Sequence, residues 1–289
     1  MSKLAIREQI PLRPGESVFC EHIRSRHYGT PWHFHPELEL ALVRKSGGYR
    51  IVGDSISALT AGDLVLVGCN LPHVWYQDRD AGEVDAIIVQ FRDDFAGSLL
   101  GSEECRSVRN LYERARFGLW VKGAIRDRVA SRIEGLLHSS PLRRISELLW
   151  ILDELSTARG LEALSSAGYV PPVDAKDHER VSRVMQYIHA RLRRSISRRE
   201  VAEVAALSES AFSRFFRLRT GRTFPAYLNE LRLGRAARLL GESSDRIADV
   251  ARDCGFLNLS HFNRLFLEWK GITPLAFRRR VQDSSRGGD

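Results

Sequence analysis

The chain has 289 residues, of which 44 are Lys or Arg and 36 are Asp or Glu, with 43% hydrophobic side chains and four cysteines. That length corresponds to about two domains at ~150 residues each, and it contains no run near the ~20 apolar residues of a membrane helix. The opening MSKLAIREQIPLRPGES lacks the apolar stretch of a secretory signal. Cys20, Cys69, Cys105 and Cys254 are too scattered for a thiolate zinc site or a redox pair. Together these features predict a cytoplasmic protein. Charge is divided unevenly. Residues 178–289 carry 22 basic and 12 acidic side chains, a balance of +10, whereas residues 1–177 carry 22 and 24, a balance of −2. Such asymmetry predicts that one part meets a polyanion and the other has a different task.

From residue 18 to residue 91, short apolar runs are broken by turn residues. ELELALVRK, YRIVGD, ISALT, DLVLVG and DAIIVQF are separated by Gly, Asp and Pro. The spacing predicts an antiparallel sandwich or barrel. Within it, Trp32-His33-Phe34-His35-Pro36-Glu37-Leu38-Glu39 places two imidazoles and a carboxylate at alternate positions. On a strand, His33 and His35 share one face and Glu39 has the same parity, unless Pro36 introduces a bulge. Residues 62–67 lead to Pro72-His73, and a strand from there brings His73 towards the pair. Such donors suit Zn, Ni, Mn, Fe or Cu. They equally serve as polar walls of a metal-free pocket for a small molecule such as a sugar or acid. Trp32, Trp75 and Tyr76 flank the motifs and either stack on a ligand or pack the mouth.

This segment resembles the cupin family. His33-x-His35, three residues, Glu39 and then Gly47 are similar to the first cupin motif, and Gly62-Asp63 through Pro72-His73 to a shortened second one. The resemblance covers roughly 75 residues. It implies a cupin-like β-barrel over residues 1–100 whose mouth holds a divalent metal (Zn, Ni, Mn or Fe) or a small ligand.

After Arg92 the pattern becomes helical, over about 103–116, 125–138 and 142–158. Ile145, Leu148, Leu149, Leu152 and Leu155 form one apolar stripe, and Val129, Ile133, Leu136 and Leu137 another. These stripes pack against the barrel or pair two chains, so residues 101–160 are expected to form a helical dimerisation region of a homodimer. Residues 161–177, with Ser165-Ser166-Ala167-Gly168-Tyr169-Val170-Pro171-Pro172, read as a linker.

The last third repeats itself. At an offset of 50, Ser210-Ala211-Phe212-Ser213-Arg214-Phe215-Phe216 matches Ser260-His261-Phe262-Asn263-Arg264-Leu265-Phe266. Gly221 matches Gly271, and upstream the match continues with a one-residue shift. Each copy reads as a helix, a tight turn and a second helix. Phe212 and Phe216, like Phe262 and Phe266, bury one face. That leaves Ser210, Ser213, Arg214 and Arg217 outward in the first copy, and Ser260, His261, Asn263 and Arg264 in the second. Such side chains read base edges. Arg219, Arg222 and Lys270 lie near helix ends and are expected on phosphates.

Residues 178–282 strongly resemble the AraC/XylS family of bacterial transcription regulators. The resemblance rests on Cys254-Gly255-Phe256, Ser260-x-Phe262-x-Arg264-x-Phe266, Gly271-Ile272-Thr273-Pro274 and Phe277-Arg278. It implies seven helices over residues 178–289, two helix-turn-helix units and a linking helix over about 225–240. It also implies transcription control by an N-terminal sensor that binds a small-molecule effector. The partners implied are double-stranded promoter DNA and, for an activator, RNA polymerase. The expected fold class is therefore α+β in two domains. No nucleophile–base pair or phosphate loop is present, so no enzymatic activity is expected. The competing readings are a cupin-type metalloenzyme with an accessory basic domain, and a DNA-binding protein whose barrel is only a dimerisation scaffold.

Overall fold

The computed structural model describes residues 10–11, 16–25, 32–77, 82–169 and 175–286. Its N-terminal half is sheet-rich, with β1 (Val18–Ser25), β2 (Leu38–Lys45), β3 (Gly48–Val52), β4 (Ser55–Ala58), β5 (Asp63–Val67), β6 (His73–Gln77), β7 (Val84–Phe91), β8 (Leu119–Val121) and β9 (Leu161–Ala163). Six strands form one antiparallel sheet in the order β1-β7-β2-β5-β8-β9, and β4-β3-β6 form a second. Two of these strands lie beyond the expected boundary at residue 100. The runs Leu119–Val121 and Leu161–Ala163 are only three residues long. Too short to declare a period of two, they become strands by pairing with β5 and with each other.

The alternation along each strand sorts side chains into two cores. On the outer face of the large sheet, Leu38, Leu40 and Leu42, with Leu64, Leu66, Ile87, Val89 and Phe91, join one cluster with three helices. These are α1 (Arg106–Ala115), α2 (Ala124–Leu136) and α3 (Pro141–Thr157). On the inner face, Ala41, Val43, Val65, Val67, Ala86 and Ile88 meet Val52 and Trp75 of the second sheet. Such interdigitation is how two sheets bury their facing surfaces.

The apolar stripes of α2 and α3 are used inside the chain. Val129, Ile133, Leu136, Leu148, Leu152 and Leu155 are all fully buried in the cluster that the helices share with the large sheet, α3 packing on α1 and α2. Of the two uses open to these stripes, intrachain packing accounts for the buried positions, while Leu137, Ile145 and Leu149 of the same stripes stay partly exposed. Leu142 and Trp150 are the large apolar side chains that α3 leaves exposed.

The expected linker also differs. Ser165 is buried and donates to the Val52 carbonyl at 3.0 Å, while Ser166 bonds Asp54 through both its amide and its hydroxyl. Small hydroxyl side chains here dock on the sheet instead of spacing two bodies apart. The Val170-Pro171-Pro172 part lies outside the described residues.

The C-terminal part is helical: α4 (Ala175–Arg191), α5 (Arg198–Val204), α6 (Glu209–Thr220), α7 (Phe224–Glu242), α8 (Ile247–Asp253), α9 (Leu259–Lys270) and α10 (Pro274–Arg286). α4 thus begins inside the segment expected as linker. No helix among the described residues is long and apolar enough to cross a membrane. One hydrophobic cluster joins the two parts. Tyr49 and Ile51 of β3 and Val74 of β6 share it with Val181, Val184, Met185 and Ile188 of α4 and with Leu228 and Leu231 of α7. At its edge the Tyr49 hydroxyl is hydrogen-bonded to His189 Nδ1, and Tyr76 stacks on the same imidazole at 4.3 Å.

Burial pushes His189 down to about 3. An unfolded histidine takes up its proton near pH 6.5. Between those values the unfolded chain binds more protons than the folded one, so stability falls as pH drops below about 6.5. From pH 7.5 to 5.5 this residue alone should cost about 1.4 kcal/mol. His189→Gln keeps an acceptor for Tyr49 but does not titrate, so its denaturation midpoint should fall less steeply with acid than the wild type. Equal slopes would remove His189 from the acid response.

Candidate metal centre and nucleic-acid interface

Between the two sheets the structure brings His33, His35, Glu39 and His73 together. One ligand atom from each lies within 4.8 Å of the others, and all four residues are buried. The route takes the interruption at Pro36 that the sequence left open. His33 makes an isolated bridge with His73, its amide at 3.1 Å from the His73 carbonyl and the reverse bond at 2.9 Å. The chain then bends at Pro36-Glu37 before β2 begins at Leu38. Proline has no amide to donate to a ladder, so the strand is interrupted there. The side chains converge because β6 runs back alongside.

The local hydrogen bonds orient the rings. His35 Nδ1 lies 3.1 Å from the Glu37 carbonyl and His73 Nδ1 lies 2.8 Å from the Leu71 carbonyl, which turns both Nε2 atoms towards Glu39. His35 Nε2 is 3.1 Å and His73 Nε2 3.6 Å from Glu39 Oε2. The His73 Nε2 atom is buried without a hydrogen-bond partner. Gln90 donates to Glu39 Oε2 at 2.8 Å. Burial, with His33 adding to it, pushes His73 down to about 4, so its ring is neutral near pH 7. Burial opposes ionisation of Glu39, but the facing His73 and His35 outweigh it and hold the carboxyl well below its usual range. A neutral imidazole at His73 whose other nitrogen is tied to a carbonyl, beside a carboxylate held by an amide, has the ligand state and surroundings that suit a divalent metal. Ligand bonds of about 2.0–2.2 Å need donors roughly 3–4 Å apart, so this quartet fits a metal after slight contraction.

Sequence reading missed two further polar groups of this interior. Gln90 ends the apolar run of β7, and Arg50 sits in the middle of β3. Arg50 is buried, pairs through Nη1 with Asp63, and lies 4.7 Å from the Trp120 ring. Its Nε and Nη2 have no partner. Parity was the available signal: Arg50 shares a strand face with Val52, and Gln90 with Ile88.

The two helix-turn-helix units are α5–α6 and α8–α9. Ser208 caps α6 by accepting from the Ala211 amide at 3.3 Å, and Asn258 caps α9 by accepting from the His261 amide at 2.8 Å. Gly221 and Gly271 end these helices in the left-handed conformation. Phe212 and Phe216 both pack with Phe224, and Phe262 packs with both Phe256 and Phe266. Ser210, Ser213, Arg214 and Arg217 are all exposed on α6, as are Ser260, His261, Asn263 and Arg264 on α9. Among the described residues Arg214 and Arg217 have no ion-pair partner. Arg264 bonds Glu268 at 2.7 Å and lies 3.2 Å from His261 Nδ1.

The expected phosphate contacts need correction. Arg219 is bound to Asp177 of α4, and Arg222 to the Asp54 carbonyl and, at 2.8 Å, to Glu230. Both lie at the α6 end that faces α4 and the β3–β4 turn, so an internal acceptor takes the place of a phosphate. Lys270 lies 3.9 Å over the Trp269 ring.

The turn of the second unit requires glycine. Gly255 has φ 87°, and a Cβ there would lie 2.7 Å from the Leu192 carbonyl and 2.9 Å from Arg232 Nε. The first unit tolerates Ala206 at φ 52° because that residue is exposed. Gly255→Ala should therefore destabilise the chain by roughly 1–3 kcal/mol and weaken DNA binding. Urea denaturation and DNA anisotropy check the two effects.

Residues 201–280 match the model of a family described as "Helix-turn-helix domain". Over 261 residues, 86% of each chain, the sequence is 26% identical to the HTH-type transcriptional activator RhaR of Pectobacterium carotovorum. It is 24% identical to the RhaR of an Enterobacter strain over 287 residues, 98% of this chain and 93% of that one. A solved structure described as a transcriptional regulator with an AraC-type DNA-binding domain, from Chromobacterium violaceum, is 26% identical. It covers 37% of this chain and 96% of its own, at a TM-score of 0.35.

Proposed function

We infer that this chain, an AraC-type DNA-binding transcription regulator, reads its operator with α6 and α9 and takes its effector between the two sheets of its N-terminal half. The observation that carries the reading is the duplication: two recognition helices with exposed small and polar faces, in a region of net charge +10. Each helix shares a hydrophobic cluster with α7, and such a pair can enter successive major grooves about 34 Å apart. In this reading Ser210, Ser213, Arg214 and Arg217 contact one site and Ser260, His261, Asn263 and Arg264 the next. Activation is the direction that the names of its relatives carry, and RNA polymerase is then a partner. A homodimer belongs to the same reading, with Leu142 and Trp150 as the apolar residues α3 leaves exposed.

Binding should weaken steeply with salt, because phosphate contacts release counterions. Arg214→Ala and Arg264→Ala should each cost about 1–3 kcal/mol and relax preference at one base position, the two positions about one helical turn apart. Site selection with each variant checks this. If preferences stay unchanged in both, the arginines are structural and the readout rests on Ser210, Ser213, His261 and Asn263.

The pocket reading is a cupin-like sensor whose His33, His35, Glu39 and His73 hold one divalent transition metal ion. What supports it is the buried quartet, in which His73 Nε2 makes no hydrogen bond. β6 carries His73 towards the quartet and Tyr76 towards His189, which gives pocket occupancy a short path to the DNA-binding part. Cobalt titration should show one equivalent bound, with visible absorption from nitrogen and oxygen ligands. Gln90→Leu removes the amide that holds Glu39 and should weaken that binding by about 10–100-fold. If elemental analysis after loading with Zn, Ni, Co or Mn finds no retained metal, the quartet is a polar wall of a metal-free pocket.

A further inference from the structure

The two helix-turn-helix units differ by one residue, and the structure locates it. In the first unit Ala206 and Leu207 separate the C-cap Ala205 from the N-cap Ser208; in the second, Gly255, Phe256 and Leu257 separate Cys254 from Asn258. Ala206 and Gly255 share the left-handed backbone, and Leu207 and Phe256 after them turn into their respective hydrophobic clusters. The additional residue is therefore Leu257, which is 91% exposed. Two positions on, Leu259 opens α9 and is 42% exposed. The first unit has Glu209 at that place, bonded to Arg198 at 2.8 Å. Neither leucine belongs to the cluster that Phe256, Phe262 and Phe266 form.

We propose that Leu257 and Leu259 read thymine C5-methyl groups in the half of the operator bound by the second unit. The inference rests on α9 being a recognition helix, as argued above. The first residues of such a helix are the ones that reach base edges. In the major groove the thymine methyl is the apolar group that distinguishes base pairs, and apolar side chains recognise it. The leucines stand next to Ser260, His261 and Asn263, whose polar groups match the hydrogen-bonding atoms of neighbouring bases. A protein partner would need a contiguous apolar patch, and these polar neighbours interrupt one. The two units then read different chemistry: α6 opens with a carboxylate, α9 with a pair of leucines.

The test uses the full chain and an operator obtained by site selection. Each thymine in the second unit's half is replaced by deoxyuridine, which removes the methyl and keeps every hydrogen-bonding atom. Wild type should bind about three- to fivefold more weakly for each methyl it contacts, at one or two positions. The Leu257→Ser/Leu259→Gln variant should bind the thymine and deoxyuridine operators equally. Both side chains are exposed, so the variant should fold as the wild type does. Indifference of the wild type to every deoxyuridine, or the same penalty in the variant, overturns the proposal. So does a variant that keeps affinity and thymine preference but no longer activates purified RNA polymerase, since the leucines then contact the polymerase. Absence of any sequence preference in the wild type would overturn the recognition-helix reading itself, which is a distinguishable result.

Discussion

The arrangement depends on α7, which carries buried residues from Phe224 to Leu240. Leu228 and Leu231 lie in the cluster of the first helix-turn-helix unit, and Leu233, Ala236 and Leu240 in that of the second. The 19 residues of this helix span about 28 Å. Neither unit can shift along it without leaving its own phenylalanines unpacked. Polar atoms lock the same geometry, since the nearly buried Arg232 reaches from α7 to the Leu192 and Arg194 carbonyls at 3.1 and 2.6 Å. A buried guanidinium left without acceptors is costly, so the loop after α4 is held in turn.

Polar groups are tolerated between the two sheets on different terms. Arg50 and Asp63 offset each other, and burial raises the Asp63 carboxyl even as Arg50 opposes it. At the other end, three imidazoles surround one carboxylate. An apolar set of the same volume would pack the interior with fewer penalties. A stability argument alone therefore does not account for these residues, and that is why they read as a site.

Much of this was legible in the sequence. The alternation of β2, β5 and β7, the stripes of α2 and α3, and the 50-residue repeat each carry a period that one chain displays without a partner. His33, His35, Glu39 and His73 were recognisable as a set because each is a ligand type set among apolar residues. What was not legible depended on pairing. β8 and β9 are three-residue runs that become strands through β5. Arg219 and Arg222 look like phosphate contacts until the fold sets Asp177 and the Asp54 carbonyl beside them. Gln90 and Arg50 were visible as polar interruptions, but their facing partners come from other strands.

The cluster that joins β3 and β6 to α4 and α7 restricts how such a chain can be recombined. Tyr49, Ile51 and Val74 are interior residues of the DNA-binding part as much as of the sheets. A sensor taken from another protein and spliced on at residue 175 would bring a different surface to Val181, Met185 and His189. That graft would be a repacking problem, not the exchange of a cassette. Inheritance across this junction is then linked: changes on the outer face of β3 or β6 and changes on the facing side of α4 have to arise together.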